Sequence, residues 1–232
     1  MTDIKVMVVD DSSLMRRVIS DIITTQPDMR VVATARNGQE ALNIIKTVDI
    51  DVITMDVEMP VMNGLQALER IMSEDPLPVI MLSSLTQRGA DAAMKALYLG
   101  AVDFISKPSG AMEINNTANE ITRKIKIAAA TRHRLKKQTV QPIEQKKKPI
   151  KTTVNAKDAP SNLVLIGTST GGPRALHEVI PKLPGDLEAA VLVVQHMPSG
   201  FTRSLAERLD RLSSLRVKEA ENGEPILRGC VY

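Results

Sequence analysis

Short apolar runs alternate with amphipathic stretches along the first half of the chain. The apolar runs cover residues 4–9, 31–35, 52–55, 79–82 and 102–105, and the amphipathic stretches cover residues 13–25, 38–48, 64–74, 89–99 and 112–130. This alternation predicts five βα units that form a parallel sheet with helices on both faces. The predicted fold class is therefore α/β, with a functional site at the carboxyl ends of the strands.

Polar residues stand at the ends of four of these apolar runs. They are Asp10 and Asp11 after the first run, Asp56 at the end of the third, Ser83 after the fourth and Lys107 after the fifth. Three carboxylates at one rim raise each other's pKa unless a cation neutralises them, and oxygen ligands of this kind favour Mg²⁺. A hydroxyl and an ammonium can contact an added phosphoryl group. Taken singly, each residue has an ordinary explanation as a rim acid, a strand-end cap or a salt bridge.

Together these residues resemble the receiver domain of two-component response regulators. The motif consists of Asp10-Asp11, Asp56, Ser83 and Lys107-Pro108, and the resemblance covers residues 1 to about 122. The fold that it implies is a (βα)5 domain with the flavodoxin-like strand order 2-1-3-4-5. The resemblance also implies that Asp56 accepts a phosphoryl group from a histidine kinase.

Further roles around Asp56 follow from the same resemblance. It implies an Mg²⁺ ion in the receiver domain, with Asp10, Asp11, Asp56 and the main chain of Glu58 as ligands. Ser83 and Lys107 are expected to contact the phosphoryl group. Ser83 and Phe104 occupy the family's switch positions, although an ordinary place in the core explains Phe104 equally well.

A strongly basic segment follows the predicted receiver domain. Residues 123–157 hold twelve of the chain's 30 Lys and Arg but a single acid, Glu144, so the remainder of the chain is net acidic. Because this charge does not lie on a folded recognition face, a nucleic-acid-binding output is disfavoured. Several prolines and few apolar residues predict an extended tether over residues 138–160. Contact of the basic segment with acidic receptor tails or anionic lipid heads is the functional alternative.

A second strand-loop-helix pattern follows the tether. Leu163–Ile166 predicts a strand that runs into the Gly-rich turn Gly167–Pro173 and then into an amphipathic stretch. Within that turn, Ser169 has the spacing of a nucleophile elbow. Such a turn also builds phosphate and dinucleotide sites, so the loop alone leaves both functions open. The next predicted strand, residues 191–194, delivers His196 to the same rim, where it supplies a general base. His177, on the helix after the turn, is expected to be a surface residue.

Gly167–Pro173 and Gln195–Pro198 together resemble the catalytic domain of chemotaxis protein-glutamate methylesterases, the CheB family. A receiver domain tethered in front of such a domain is the architecture of that family. The resemblance implies that Ser169 attacks the γ-carbonyl of methylated glutamates on chemoreceptors, while His196 moves the proton and methanol leaves. Glutamine deamidation would use the same groups and release ammonia. No cofactor is implied for this second domain.

The expected domains are a receiver at 1–122, a basic helix extension and linker at 123–159, and the first part of a doubly wound α/β methylesterase domain at 160–232. The family's catalytic aspartate is expected beyond Tyr232. The acids to which we do not assign that role are Asp186, Asp210, Glu219, Glu221 and Glu224. Because the acid fixes the histidine tautomer, we expect the chain to be an enzyme by family but a weak or inactive esterase by itself.

Three functions are compatible with the sequence. The first is a hydrolase in which the unphosphorylated receiver covers the Ser169 rim and phosphorylation of Asp56 releases it. The second is a non-catalytic phospho-receiver module. The third is a phosphate- or nucleotide-binding output at Gly167–Gly172, which lacks a nearby acidic or aromatic residue for a ribose or base. The chain retains Ser169 and His196, which favours descent from a hydrolase of the first kind.

Composition favours a cytoplasmic protein. No apolar stretch reaches the roughly 18 residues of a membrane span, and residues 1–3 do not begin a secretion signal. The single cysteine, Cys230, cannot form an internal disulfide and is expected in a strand. We therefore expect a protein that is not membrane-embedded, with association to chemoreceptors left open.

Overall fold

The structure is a computed structural model that describes residues 3–84, 86–107, 111–132 and 159–232, with the backbone alone described at residues 87 and 111–116. The chain forms two compact units, Met1–Val140 and Gln141–Tyr232, and each contains its own sheet. Pro108 and most of the predicted tether lie outside the described residues. The domain limits given by the sequence therefore stay predictions.

The first unit alternates strands and helices. Its strands are β1 (Ile4–Val9), β2 (Met29–Ala35), β3 (Val52–Asp56), β4 (Val79–Ser83) and β5 (Asp103–Ser106). Its helices are α1 (Ser13–Thr24), α2 (Gly38–Ile45), α3 (Gly64–Glu74), α4 (Gln87–Leu99) and α5 (Ala111–Thr131). The strands pair in parallel in the order β2-β1-β3-β4-β5, which confirms the predicted α/β class and strand order.

Burial on both faces explains the continuous apolar runs of the central strands. Every residue of β3 and β4 is buried. Successive side chains of a strand point to opposite faces, and in β1 Val6 and Val8 belong to a core cluster that includes Ile19 of α1 and Ile125 of α5. A strand with apolar residues on both faces is stable only between two layers of helices, which fixes β1 and β3 in the middle of the sheet.

Side-chain caps fix the starts of the helices next to the carboxyl rim of the sheet. The capping residues are Ser12 for α1, Asn37 for α2, Asn63 for α3 and Thr86 for α4. Each accepts a hydrogen bond from a backbone amide in the first turn, which stabilises the helix end and holds the preceding loop. None of the helices in the described ranges is long and apolar enough to cross a membrane.

Helix α5 brings the start of the basic segment into the first unit. Lys124 is buried, and its Nζ donates to the backbone oxygen of Phe104 at 2.6 Å. The same ammonium lies 2.9 Å from a Glu120 oxygen and 3.3 Å from an Asp103 oxygen. A buried ammonium needs such partners because it has lost its hydration. Lys124 is therefore a structural residue of this unit, although the sequence groups it with the linker.

Ion pairs also hold the last described turn after α5. Arg132 contacts the carboxylates of Asp51 and Asp49, the latter at 2.8 Å, and Lys5 Nζ lies 2.5 Å from the other Asp49 oxygen. Hydrogen bonds from Lys5 and then from Arg132 lower the pKa of Asp49 to about 2. These contacts attach the end of the helical segment to the loop that precedes β3.

The second unit has its own parallel sheet. Its elements are β6 (Asn162–Thr168), α6 (Gly172–Val179), a 3₁₀ turn (Ile180–Lys182), β7 (Ala189–Gln195), α7 (Phe201–Leu212), β8 (Arg216–Val217) and β9 (Cys230–Val231). The strand order is β6-β7-β9-β8, with β6 at one edge. Leu165 of β6 and Val194 of β7 are each 73% exposed, so apolar side chains are uncovered at this edge of the described unit. Cys230 is buried in β9, the strand position expected from the sequence.

We predict that Gly64→Ala destabilises the first unit, because the added Cβ would lie 2.0 Å from the backbone oxygen of Asp56. Relieving that contact requires movement of β3 or α3 and should lower the free energy of opening by about 1–3 kcal/mol. Hydrogen exchange of β3 peptides measures this change locally. Gly167→Ala is the matched control, since no atom lies within 4 Å of its added Cβ. Unchanged protection of β3 in Gly64→Ala would contradict the prediction.

Candidate functional site

The carboxyl ends of β1, β3 and β5 bring three acids and a lysine together. Asp10 and Asp56 are buried, Asp11 is exposed, and one carboxylate oxygen of each lies within 4.8 Å of the others. Lys107 Nζ lies 2.8 Å from an oxygen of Asp10 and 2.8 Å from an oxygen of Asp56. An open cleft of about 260 Å³ borders Asp11, Asp56 and Lys107. The strand-end side chains that the sequence brings to one rim are thus within contact distance.

Backbone and side-chain donors orient the buried acids. The amide of Ser12 donates to Asp10 Oδ1 at 2.9 Å, and the amide of Glu58 lies 3.4 Å from Asp56 Oδ1. Arg16 of α1 donates to the backbone oxygens of Asp10 at 2.7 Å and of Asp11 at 3.1 Å. Nothing in the sequence distinguishes Arg16, because its helical position looks like an ordinary exposed one. In the structure, its side chain stabilises the loop that carries Asp10 and Asp11.

Charge and burial act in opposite directions at this site. Burial raises the pKa of Asp56, and the hydrogen bond from Lys107 only partly offsets this effect. For Lys107, burial lowers the pKa, but hydrogen bonds to Asp10 and Asp56 outweigh burial and hold its pKa above the usual value. The ammonium therefore stays charged and neutralises part of the negative charge that the two strands place at the rim.

The donor set fits a hard divalent cation. Asp10, Asp11 and Asp56 offer only oxygen ligands, and the exposed carboxylate of Asp11 leaves a side of the cluster open to water and to a phosphoryl oxygen. These residues would hold Mg²⁺, as expected from the sequence. A ligand role for the Glu58 main chain stays a prediction; its side chain lies 3.9 Å from Arg88.

The two predicted switch residues have different surroundings. Ser83 is buried at the end of β4 and donates through Oγ to the backbone oxygen of Gly89 at 2.9 Å, while its own backbone oxygen accepts from the amide of Lys107. The ring of Phe104 is buried and lies 5.4 Å from Lys124 Nζ. Ser83 thus links the cleft to helix α4, and Phe104 occupies an inward position. Their roles as a switch stay predictions.

In the second unit, neighbouring strand ends bring Ser169 and His196 together. Thr168 pairs with Gln195 at the ends of β6 and β7, and the next residue on each strand is the predicted nucleophile or base. Ser169 Oγ lies 3.3 Å from His196 Nδ1, within hydrogen-bond reach. The amide of His196 donates to the backbone oxygen of Thr168 at 2.9 Å. The parallel register therefore juxtaposes the two side chains that the sequence selects.

A tight glycine turn leads from Ser169 into α6. Gly171 has a φ of 75°, in the left-handed region that glycine adopts without strain, and Gly172 donates from its amide to the backbone oxygen of Ser169 at 2.8 Å. Ser169 consequently lies at a strand-to-helix turn, as a nucleophile elbow requires. The first amides of α6 face the same rim, where helix termini favour developing negative charge.

The acids of the second unit form contacts away from His196. Asp210 accepts from the amide of Val217 at 2.9 Å. The other contacts are Glu219 with Thr202, and Glu221 and Glu224 with Lys218. In the part of the chain that the structure describes, none of these four carboxylates is hydrogen-bonded to His196.

His177 departs from the sequence interpretation. We expected a surface residue on the helix after the turn, but the side chain is half-buried in α6. Burial, followed by the charge of Arg208, lowers its pKa to about 4. Periodicity places His177 on the helix but does not show how far the neighbouring helix covers it.

The fold and the phosphoacceptor-type site define a response regulator receiver joined to a second α/β unit. The response regulator receiver domain model matches residues 6–119, and the CheB methylesterase model matches residues 164–232. The chain belongs to the CheB family, whose curated members are named protein-glutamate methylesterase/protein-glutamine glutaminase. The similarity confirms the family expected from the sequence and its classification as an enzyme family.

Two curated relatives are longer than this chain. A protein from Syntrophomonas wolfei is 52% identical over 231 residues, which are 98% of this chain and 65% of that protein. A Bacillus subtilis protein is 49% identical over 236 residues, covering 99% of this chain and 66% of that protein. The crystal structure of the response regulator domain of Thermotoga maritima CheB is 49% identical, with a TM-score of 0.52 and coverage of 55% of this chain and 97% of that one.

We predict that Asp56→Asn raises the thermal midpoint of the first unit at pH 7. The folded-state pKa of Asp56 is raised, so the stability associated with its protonated form is lost as the pH rises through that pKa. A neutral amide removes this cost, and its advantage should shrink as the pH falls through that raised pKa and be absent below about 4, the usual pKa of an aspartate. Asp11→Asn, at an exposed carboxylate, is the control and should change the midpoint less. A lower midpoint for Asp56→Asn at pH 7 would refute this account.

Proposed function

We propose that this protein is a phosphorylation-regulated chemotaxis hydrolase. Its substrates would be glutamate methyl esters and glutamines on chemoreceptors, with methanol or ammonia as the leaving group. The observation that carries the proposal is the 3.3 Å approach of Ser169 Oγ to His196 Nδ1 inside the segment that matches the CheB methylesterase model. The curated relatives bear this activity in their names, and the chain spans 65–66% of the length of the two described above.

The first unit would receive the signal. Asp56 is the proposed phosphoacceptor, and its carboxylate would form the new oxygen–phosphorus bond while the phosphorus–nitrogen bond to a kinase histidine breaks. Lys107 would contact the added phosphoryl group in place of the Asp56 oxygen that it now binds. Bound at Asp10, Asp11 and Asp56, Mg²⁺ would reduce the repulsion between the carboxylate and the incoming phosphate. We place the protein in the cytoplasm with a chemotaxis histidine kinase as phosphodonor.

The second unit would carry out the hydrolysis. Ser169 Oγ would attack the side-chain carbonyl as His196 takes its proton, and the proton would then pass to the departing methanol or ammonia. Water activated by His196 would cleave the resulting acyl-enzyme. For this role Nδ1 must be the unprotonated nitrogen of the neutral imidazole, since only that tautomer accepts a proton from Ser169.

A receiver that signals without hydrolysis is the second candidate. One observation favours it: every side chain of the proposed phosphoacceptor site lies between Asp10 and Lys107, within the first unit, so phosphoryl transfer needs no group from the second. Such a module would compete for the kinase. The two candidates share the phosphorylation step and differ in whether Ser169 is chemically active.

We expect the protein to incorporate one phosphoryl group from acetyl phosphate in the presence of Mg²⁺. Chelation of the metal should abolish incorporation, because the three clustered carboxylates would then meet the phosphate without charge neutralisation. Asp56→Asn should block labelling, whereas Asp75→Asn, a control acid outside the carboxylate cluster, should leave it intact. Intact-mass analysis provides the measurement. Labelling that persists in Asp56→Asn would exclude Asp56 as the acceptor.

We expect the phosphorylated protein to release methanol from methylated chemoreceptors only weakly and in a Ser169-dependent manner. Ser169→Ala and His196→Gln should each reduce the rate by about 10³-fold or more, because the two groups act as a unit. Ser199→Ala, at an exposed serine in the loop before α7, is the matched control and should retain the rate. If phosphorylation proceeds but methanol release does not depend on Ser169, the non-catalytic receiver replaces the hydrolase as the function.

A further inference from the structure

The side chain of Gln195 connects the two segments that carry Ser169 and His196. Its Nε2 donates to the backbone oxygen of Ser169 at 3.0 Å and to the backbone oxygen of His196 at 3.2 Å. Its Oε1 accepts from Thr168 Oγ1 at 2.6 Å. One amide group thus contacts both residues of the proposed catalytic pair and the residue that precedes the nucleophile.

The partners determine the orientation of this amide. Backbone oxygens can only accept hydrogen bonds, so the NH₂ group must face Ser169 and His196. The opposite orientation would direct Oε1 at two carbonyl oxygens with no hydrogen between them. Thr168 completes the arrangement because its hydroxyl is the donor that Oε1 requires.

Gly172 provides the space in which the amide lies. A Cβ at this position would be 2.1 Å from Gln195 Oε1 and 2.7 Å from Thr168 Cβ. The amide of Gly172 also donates to the backbone oxygen of Ser169, so that oxygen receives one bond from the glycine turn and one from Gln195. Gly172 therefore has a specific function, because it leaves room for the glutamine side chain against the start of α6.

The position of this link matters because the strand pairing ends just before the reactive side chains. The register between β6 and β7 ends at Thr168 and Gln195, and one further backbone bond joins His196 to Thr168. Ser169 lies beyond that ladder. The bonds from Gln195 to the carbonyls of Ser169 and His196 extend the connection by one residue on each strand.

We propose that Gln195 is a positioning residue that sets the approach of Ser169 Oγ to His196 Nδ1. The effect on catalysis depends on the proposed hydrolase function. Gln195 does not contact the reacting atoms; it acts through the backbone of the residues that carry them. A displacement of about 1 Å between a nucleophile and its base can cost about 10²-fold in rate, so the loss of a link this close to both residues should be measurable.

The test compares Gln195→Met and Thr168→Val with the unaltered chain. Methionine has a similar length and volume but donates no hydrogen bond, and valine retains the shape of threonine while removing the donor to Oε1. The milder Thr168→Val keeps the test available if Gln195→Met does not fold. Thr202→Val, at a threonine in α7 that contacts Glu219, is the matched control.

The decisive measurement is the imidazole ¹⁵N chemical shift of His196 in each protein, with and without Ser169→Ala. In the unaltered chain, Ser169→Ala should change the Nδ1 shift because Nδ1 loses its partner. In Gln195→Met this change should be lost, in Thr168→Val it should be reduced at least twofold, and in Thr202→Val it should be kept. A Ser169-dependent change in Gln195→Met as large as in the unaltered chain would overturn the proposal, as would its absence from the unaltered chain.

Methanol release provides the second measurement. Gln195→Met should lower kcat about 10–10²-fold while KM changes less than about threefold, because the defect lies in geometry and not in substrate contact. A purely structural role would instead lower the thermal midpoint without a selective loss of kcat, and that result would overturn the proposal. If the unaltered chain releases no methanol, the hydrolase function fails, and the ¹⁵N comparison alone decides whether Gln195 positions the pair.

Discussion

The contact of one ammonium group with two buried carboxylates is the interaction that organises the functional rim of the first unit. Asp10 and Asp56 end adjacent strands, and their charges would repel each other at this distance without Lys107. Lys107 reaches them from the end of β5, which is separated from β3 by β4. Three strand ends are thereby coupled through a single charge. The arrangement partly offsets the cost of holding the ionised Asp56 carboxylate in a buried position.

The second unit also places its functional residues at the ends of parallel strands, but a different kind of interaction positions them. Ser169 and His196 follow adjacent parallel strands, but hydrogen bonds rather than ion pairs determine their placement. A neutral pair needs accurate distance and tautomer, whereas a cluster of charges tolerates small displacements because Coulomb energy changes gradually with distance. The amide of Gln195 suits this requirement, since it directs donors and an acceptor at fixed angles.

Sequence periodicity was sufficient to predict the parallel sheet of the first unit and the residues at its rim, because both depend on which positions are apolar and where each apolar run stops. The strand order came from the resemblance to receiver domains. Periodicity did not reveal Arg16, Lys124 or Gln195. These residues act on backbone oxygens, and periodicity does not show which oxygens remain unpaired after the strands have formed. His177 was misjudged for a related reason, since helix-helix packing decides its burial. The lysine in α5 was grouped with the linker because composition alone cannot separate a buried cation from a solvated one.

Lys124 has a further consequence for the behaviour of the protein in a crowded solution. Strand β5 ends the sheet, and the outer edge of such a strand is where a strand from another molecule could add by backbone pairing. The ammonium of Lys124 already donates a hydrogen bond to the backbone oxygen of Phe104, and it forms ion pairs with Asp103 and Glu120. An approaching strand would have to displace this cluster and bury its charges. The same lysine that anchors α5 therefore protects the edge of the receiver sheet against self-association.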